Sequence, residues 1–226
     1  LNLMTSCRTW AFSLLGLHEY LKKYAGDRLV QKLRARLCDH LMTEYKAFSG
    51  RNWPWFERQL TYANAVLPHA LLVSAKAMGR SNLENKALDI LRWLVDIQKL
   101  EKGCFSPIGT EGFYHRRGAR ARFDQQPTEA QAMVSACLEA YQTTKDTYWW
   151  LQAKWAFEWY LGQNDLQVPL YDPATGACRD GLHADRANEN RGAESTLAFL
   201  QSLIEMHAVE NMINVSDIRS KTKVTA

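Results

Sequence analysis

Apolar residues recur at three- and four-residue spacing along most of this chain, the pattern of helices with one buried face. Four small-and-apolar runs stand out, at residues 14–20, 70–75, 132–141 and 197–203. The first three are each followed by a polar turn, at Gly26-Asp27, Gly79-Arg80-Ser81 and Thr144-Lys145-Asp146, and then by a second helix. The second helices carry stripes of their own: Leu29, Leu33, Leu37 and Leu41; Leu91, Leu94 and Val95; Leu151, Trp155 and Trp159. Ser81 with Glu84 has capping-box spacing. No segment shows strand alternation. The pattern predicts an all-α array of antiparallel α-hairpins over residues 1–212, the small-residue helices inside, followed by a flexible tail over 213–226.

The hairpin turns are only a few residues long, so they lie at one end of the array and the connections between hairpins lie at the other. The connections near residues 101–126 and 163–190 exceed ordinary loop length, which marks them as functional or disordered. Their polar and aromatic content favours function. The connecting end collects Trp53, Trp55 and Glu57; Phe105, Tyr114, Phe123, Asp124, Gln125 and Glu129; and Tyr171, Asp180, Asn188, Glu189, Asn190 and Glu194.

Composition narrows the picture. The 226 residues, 46% hydrophobic and 23% charged, suit one globular domain with a real core. Five cysteines without C-x-x-C spacing read as reduced thiols in a cytoplasmic protein. No apolar run reaches the roughly 20 residues of a membrane span. The net charge is +4, and the basic run from His115 to Arg122 is diluted by nearby acids, which argues against nucleic-acid binding and leaves a phosphate contact or a solvated loop. Histidine spacing suggests no metal, and no cofactor motif occurs.

Three constellations carry candidate chemistry. Trp53-Pro54-Trp55-Phe56-Glu57 sets two indoles beside a carboxylate, either to stack sugar rings and handle protons or to plug a helix end; Tyr62 and Asn64 follow on what reads as the same helical run. In the segment 122–129, Asp124 is either an N-cap before Pro127 or, with Gln125 and Glu129, a reader of vicinal hydroxyls. The third is the densest: Asp180, Asn188, Glu189, Asn190, Arg191 and Glu194. Paired carboxylates are the minimum equipment for glycoside hydrolysis, and capping of the last inner helix is the alternative. Glu57, Asp124, Glu189 and Glu194 are therefore the candidate catalytic residues. The candidate substrate-binding residues are Trp53, Trp55, Tyr62, Asn64, Gln125, Glu129, Asp180, Asn188, Asn190 and Arg191.

Taken as a set, the segments 8–12, 16–21, 53–57, 62–68, 123–127, 170–172, 180–182 and 188–196 resemble bacterial six-hairpin, glycosidase-like α/α-toroid proteins, including helical regions associated with glycosyltransferases. The resemblance implies an α/α toroid and a carbohydrate context. It departs at two positions: Ala63 stands where the family pattern has aspartate before Asn64, and Arg191 stands where it has glutamine. Six hairpins need a longer chain, so the toroid is expected to be incomplete or part of a larger one. Three readings follow: a glycoside-processing enzyme, a noncatalytic sugar-binding or accessory domain serving a glycosyltransferase, and a helical-repeat scaffold that binds protein.

Overall fold

The computed structural model describes residues 5–100 and 103–224, with side chains as far as residue 213. The chain is an array of α-hairpins. Helix α1 (Cys7–Lys23) turns into α2 (Arg28–Phe48), α3 (Val66–Ala77) into α4 (Ser81–Ile97), and α5 (Pro127–Thr144) into α6 (Thr147–Glu158); α7 (Ala193–Val224) follows. It continues through residue 212, where the sequence pattern suggested a tail. Helix α1 packs on α3, α3 on α5 and α5 on α7, while α2, α4 and α6 each back their hairpin partner. The odd-numbered helices thus form the inner layer of an incomplete α/α toroid.

Local sequence accounts for much of this. Asp27 accepts from the backbone N–H groups of Leu29 and Val30 and caps α2, and Asp146 caps α6 through Tyr148 N–H. The predicted capping box is not formed, because the N-cap of α4 is Arg80 and Ser81 lies inside the helix. Helix α3 is buried from Val66 to Ala75, His69 alone being half-buried, as befits an inner helix with neighbours on several sides. Its small residues and those of α5 let the inner layer pack closely.

Two predicted stripes shift. Leu29, in the first turn of α2, is 77% exposed; the helix buries Leu37 and Leu41 of the predicted stripe together with Arg34 and Cys38. Helix α6 buries Trp149, Gln152, Ala153 and Ala156, leaving Leu151 outside. The five cysteines are unpaired; burial pushes the Cys38 thiol up to about 11 and those of Cys7 and Cys178 to about 12.

The connections contain short strands that periodicity could not announce: β1 (Gln59–Leu60), β2 (Tyr114–His115), β3 (Tyr171–Asp172) and β4 (Ala177–Cys178). Strands β1 and β2 pair antiparallel and join the first connection to the second, and β3 and β4 form a hairpin in the third. Gln125 and Leu182 exchange backbone hydrogen bonds at 3.0 and 2.9 Å, tying the second connection to the third. Three loops become one surface over the N-terminal ends of the inner helices. Among the described residues, no helix is long and apolar enough to cross a membrane.

Candidate functional site

Arg8, in the first turn of α1, organises the centre of this surface. Its guanidinium donates to Glu57 Oε2 at 2.7 Å, to the Tyr62 carbonyl at 2.7 Å and to Asn64 Oδ1 at 3.0 Å, and lies against the Tyr62 ring. Asn64 passes the network inward: its Nδ2 donates to Glu129 Oε1 at 2.9 Å, and its backbone N–H faces both Glu129 oxygens. Burial pushes the Glu129 carboxyl up, while the Asn64 donors pull it back. Asn64 and Glu129 are buried, so they hold the mouth together rather than meet a ligand. Glu57 and Tyr62 reach the surface, at 29% side-chain and 55% residue exposure. Tyr62 and Asn64 belong to the turn before α3, not to a helical run.

Arg8 was missed as a candidate, although one signal pointed to it. A cation in the first turn of a helix opposes the helix dipole, so it calls for a carboxylate nearby.

Trp53 and Trp55 are corrected. They are 3% and 0% exposed and pack edge-on against Trp93, Tyr114 and Phe56, so neither presents a face to a sugar. Gln125 is corrected likewise. Its Nε2 donates to Asp165 Oδ2 at 2.7 Å and its Oε1 accepts from Trp159 Nε1 at 2.7 Å, while Arg122 pairs with the same Asp165 at 2.6 Å. The amide is spent within the fold.

Asp124 is a half-buried carboxylate at the junction of the second and third connections. It is not an N-cap, because Gln126 holds that position before Pro127. Gln126 Nε2 donates to its Oδ2 at 2.9 Å, and His183 Nδ1 lies 3.3 Å from its Oδ1. Its side chain keeps 21% exposure. Burial pushes the carboxyl above the ordinary range; His183 opposes the shift and Glu111 adds to it. Two glycines make room for this segment. A Cβ on Gly109 would meet the Phe123 backbone, and one on Gly181 would stand 2.8 Å from Gln125 O and 3.0 Å from Asp124 Oδ1.

The third constellation mostly shapes the start of α7. Gly192 N–H donates to Asp180 Oδ1 at 2.6 Å, Asp180 N–H donates to Asn190 O, and Asn190 N–H donates to Asn188 Oδ1 at 2.9 Å. Arg191 pairs with Asp172 at 3.1 Å. Glu189 and Glu194 are exposed, Glu194 in the first turn of α7 where the helix dipole favours it. The structure thus groups Glu57, Tyr62, Asn64 and Glu129 around Arg8, sets Asp124 beside His183 and Gly181, and leaves Glu189 and Glu194 exposed at the end of the third loop and the start of α7. His183 carries no distinguishing sequence signal, because only the Gln125–Leu182 pairing brings it to Asp124.

This architecture has solved counterparts. In fold, the chain is similar to GH76 α-mannanases. The mannanase of Bacteroides thetaiotaomicron superposes with a TM-score of 0.62 at 14% identity, over 91% of this chain and 53% of the mannanase. The α-1,6-mannanase of Salegentibacter sp. HEL1_6 gives 0.61 at 14% identity, over 88% and 54%. An inactive variant of that mannanase, with two consecutive aspartates changed to asparagine, matches to the same extent and holds α-1,6-mannotriose. The chain therefore spans about half the length of the mannanases it matches. A scan against protein-family models and a search of curated proteins find no match.

Proposed function

We propose that this chain is a carbohydrate-active domain that processes α-linked mannosides at the loop-covered mouth of its toroid. The observation that carries the reading is Asp124. Burial raises this carboxyl, so it holds a proton to higher pH than an ordinary carboxylate does, the property a donor to a glycosidic oxygen needs, and its remaining exposure lets it reach a ligand. Glu57, ion-paired to Arg8 and partly exposed, is the partner carboxylate, and Tyr62 offers the sugar an exposed aromatic face. Glu189 and Glu194 belong to the rim.

In this reading Asp124 protonates the departing oxygen as the C–O bond breaks, and a water that gives its proton to Glu57 bonds to the anomeric carbon and supplies the new hydroxyl. Incubation with α-1,6-mannotriose tests it: mannose is released by the native chain and not by the Asp124→Asn variant.

A second reading has its own support. The mannanase made inactive by changes at two consecutive aspartates contrasts with this chain, which has no two consecutive acidic residues and carries Ala63 before Asn64. A noncatalytic sugar-binding domain, accessory to a glycosyltransferase, needs only the binding face. Saturable mannotriose binding without product selects this reading over hydrolysis.

A further inference from the structure

An open cleft of about 440 Å³ lies where the C-terminal end of α2 meets the β1–β2 ribbon, lined by Ala47, Phe48, Arg58, His115, Arg116 and Arg117. Arg116 N–H donates to Arg58 O at 2.9 Å, which extends the ribbon by one pair and sets two arginines opposite each other. Like charges in that relation are unfavourable. Elsewhere in the loops, Arg122 pairs with Asp165 and Arg191 with Asp172, while Arg120 and Arg179 donate to the Ser106 and Asn188 carbonyls. Among the described residues, Arg58, Arg116 and Arg117 form no ion pair. The cleft is also shaped. Arg116 Nη1 donates to Phe48 O at 2.8 Å, and its guanidinium crosses Gly50 in space that a Cβ would occupy.

The geometry points to a phosphate-ester site in this cleft. Guanidinium forks match tetrahedral oxyanions, and three arginines line this cleft without a counter-ion, Arg58 lying over the Phe48 ring and Arg116 tied to the Phe48 carbonyl. Arg58 follows Glu57 in the chain, which puts the cleft on the rim of the mouth; the ester is therefore one carried by a saccharide, an inference that rests on the glycan reading above. A compact cleft in a chain of mixed charge does not make the broad basic surface that nucleic acid requires.

Calorimetric titration at low ionic strength tests the site with a hexose 6-phosphate, inorganic phosphate, a neutral mannoside and a single-stranded oligonucleotide. The hexose phosphate binds more tightly than inorganic phosphate, and the double variant Arg58→Gln/Arg117→Gln weakens it by about tenfold for each guanidinium removed. That variant keeps the native helical circular dichroism, because both side chains are exposed. Hexose-phosphate binding that survives the double variant overturns the inference. So does inorganic phosphate binding as tightly as the ester, or an oligonucleotide binding where the ester does not. The neutral mannoside separates the two claims: no titration with it in either protein sinks the glycan reading, whereas its normal binding with no response to the ester sinks the phosphate site alone.

Discussion

Asn64 and Glu129, 65 positions apart, are joined by the amide-to-carboxylate hydrogen bond of 2.9 Å that ties the start of α3 to the start of α5. The pair is buried, and Arg8 grips it from α1. Glu129→Ala leaves the Asn64 amide and backbone N–H without their acceptor and is expected to cost about 2–3 kcal/mol. Glu129→Gln retains an acceptor oxygen and costs less. Urea unfolding of the two variants checks the order.

Ala63 adopts a left-handed backbone conformation with φ of 46°, which disfavours any residue with a Cβ. Ala63→Gly relieves that strain against a smaller gain in chain entropy on unfolding, and should raise stability by about 0.5–1 kcal/mol. A lower urea midpoint would contradict the strained turn.

Trp55→Ala is expected to destabilise the fold by about 3–5 kcal/mol through the cavity it leaves beside Trp93 and Phe56. Tyr62→Ala, on an exposed ring, should instead weaken mannoside binding with little change in stability. Thermal melts and titrations on both variants separate the roles.

His69 sets an acid limit. Burial lowers its imidazole from 6.5 to about 4, Glu139 opposing and His18 reinforcing the shift. A depressed folded value means that the unfolded chain binds the proton first. The stability contribution is full above pH 6.5 and is lost as pH falls toward about 4, with a slope approaching about 1.4 kcal/mol per pH unit. His69→Gln should flatten that part of the stability profile in urea titrations from pH 7 to pH 4.

The hairpin array is legible in the sequence because its determinants are local. Asp27 and Asp146 cap helices within two or three residues of themselves, and α4 buries the predicted Leu91, Leu94 and Val95. The site is less legible, because long-range pairing decides which polar groups remain free. Trp53 and Trp55 read as sugar platforms until Tyr114 and Trp93 close over them. Gln125 reads as a hydroxyl reader until Asp165 and Trp159 occupy it. Asp124 reads either as a cap or as a site carboxylate; Gln126 takes the cap position, and the pairing of Gln125 with Leu182 carries His183 to Asp124.

As proposed, Asp124 gives its proton to the leaving oxygen of a bound mannoside. The pH profile of mannose release from α-1,6-mannotriose tests it most directly, compared between the native chain and Asp124→Asn. Because the folded carboxyl is raised, activity persists above the ordinary carboxylate range and declines as pH rises through the shifted value. The native chain should show that decline, and the variant should lose release while it retains binding. Undiminished release by Asp124→Asn would contradict it.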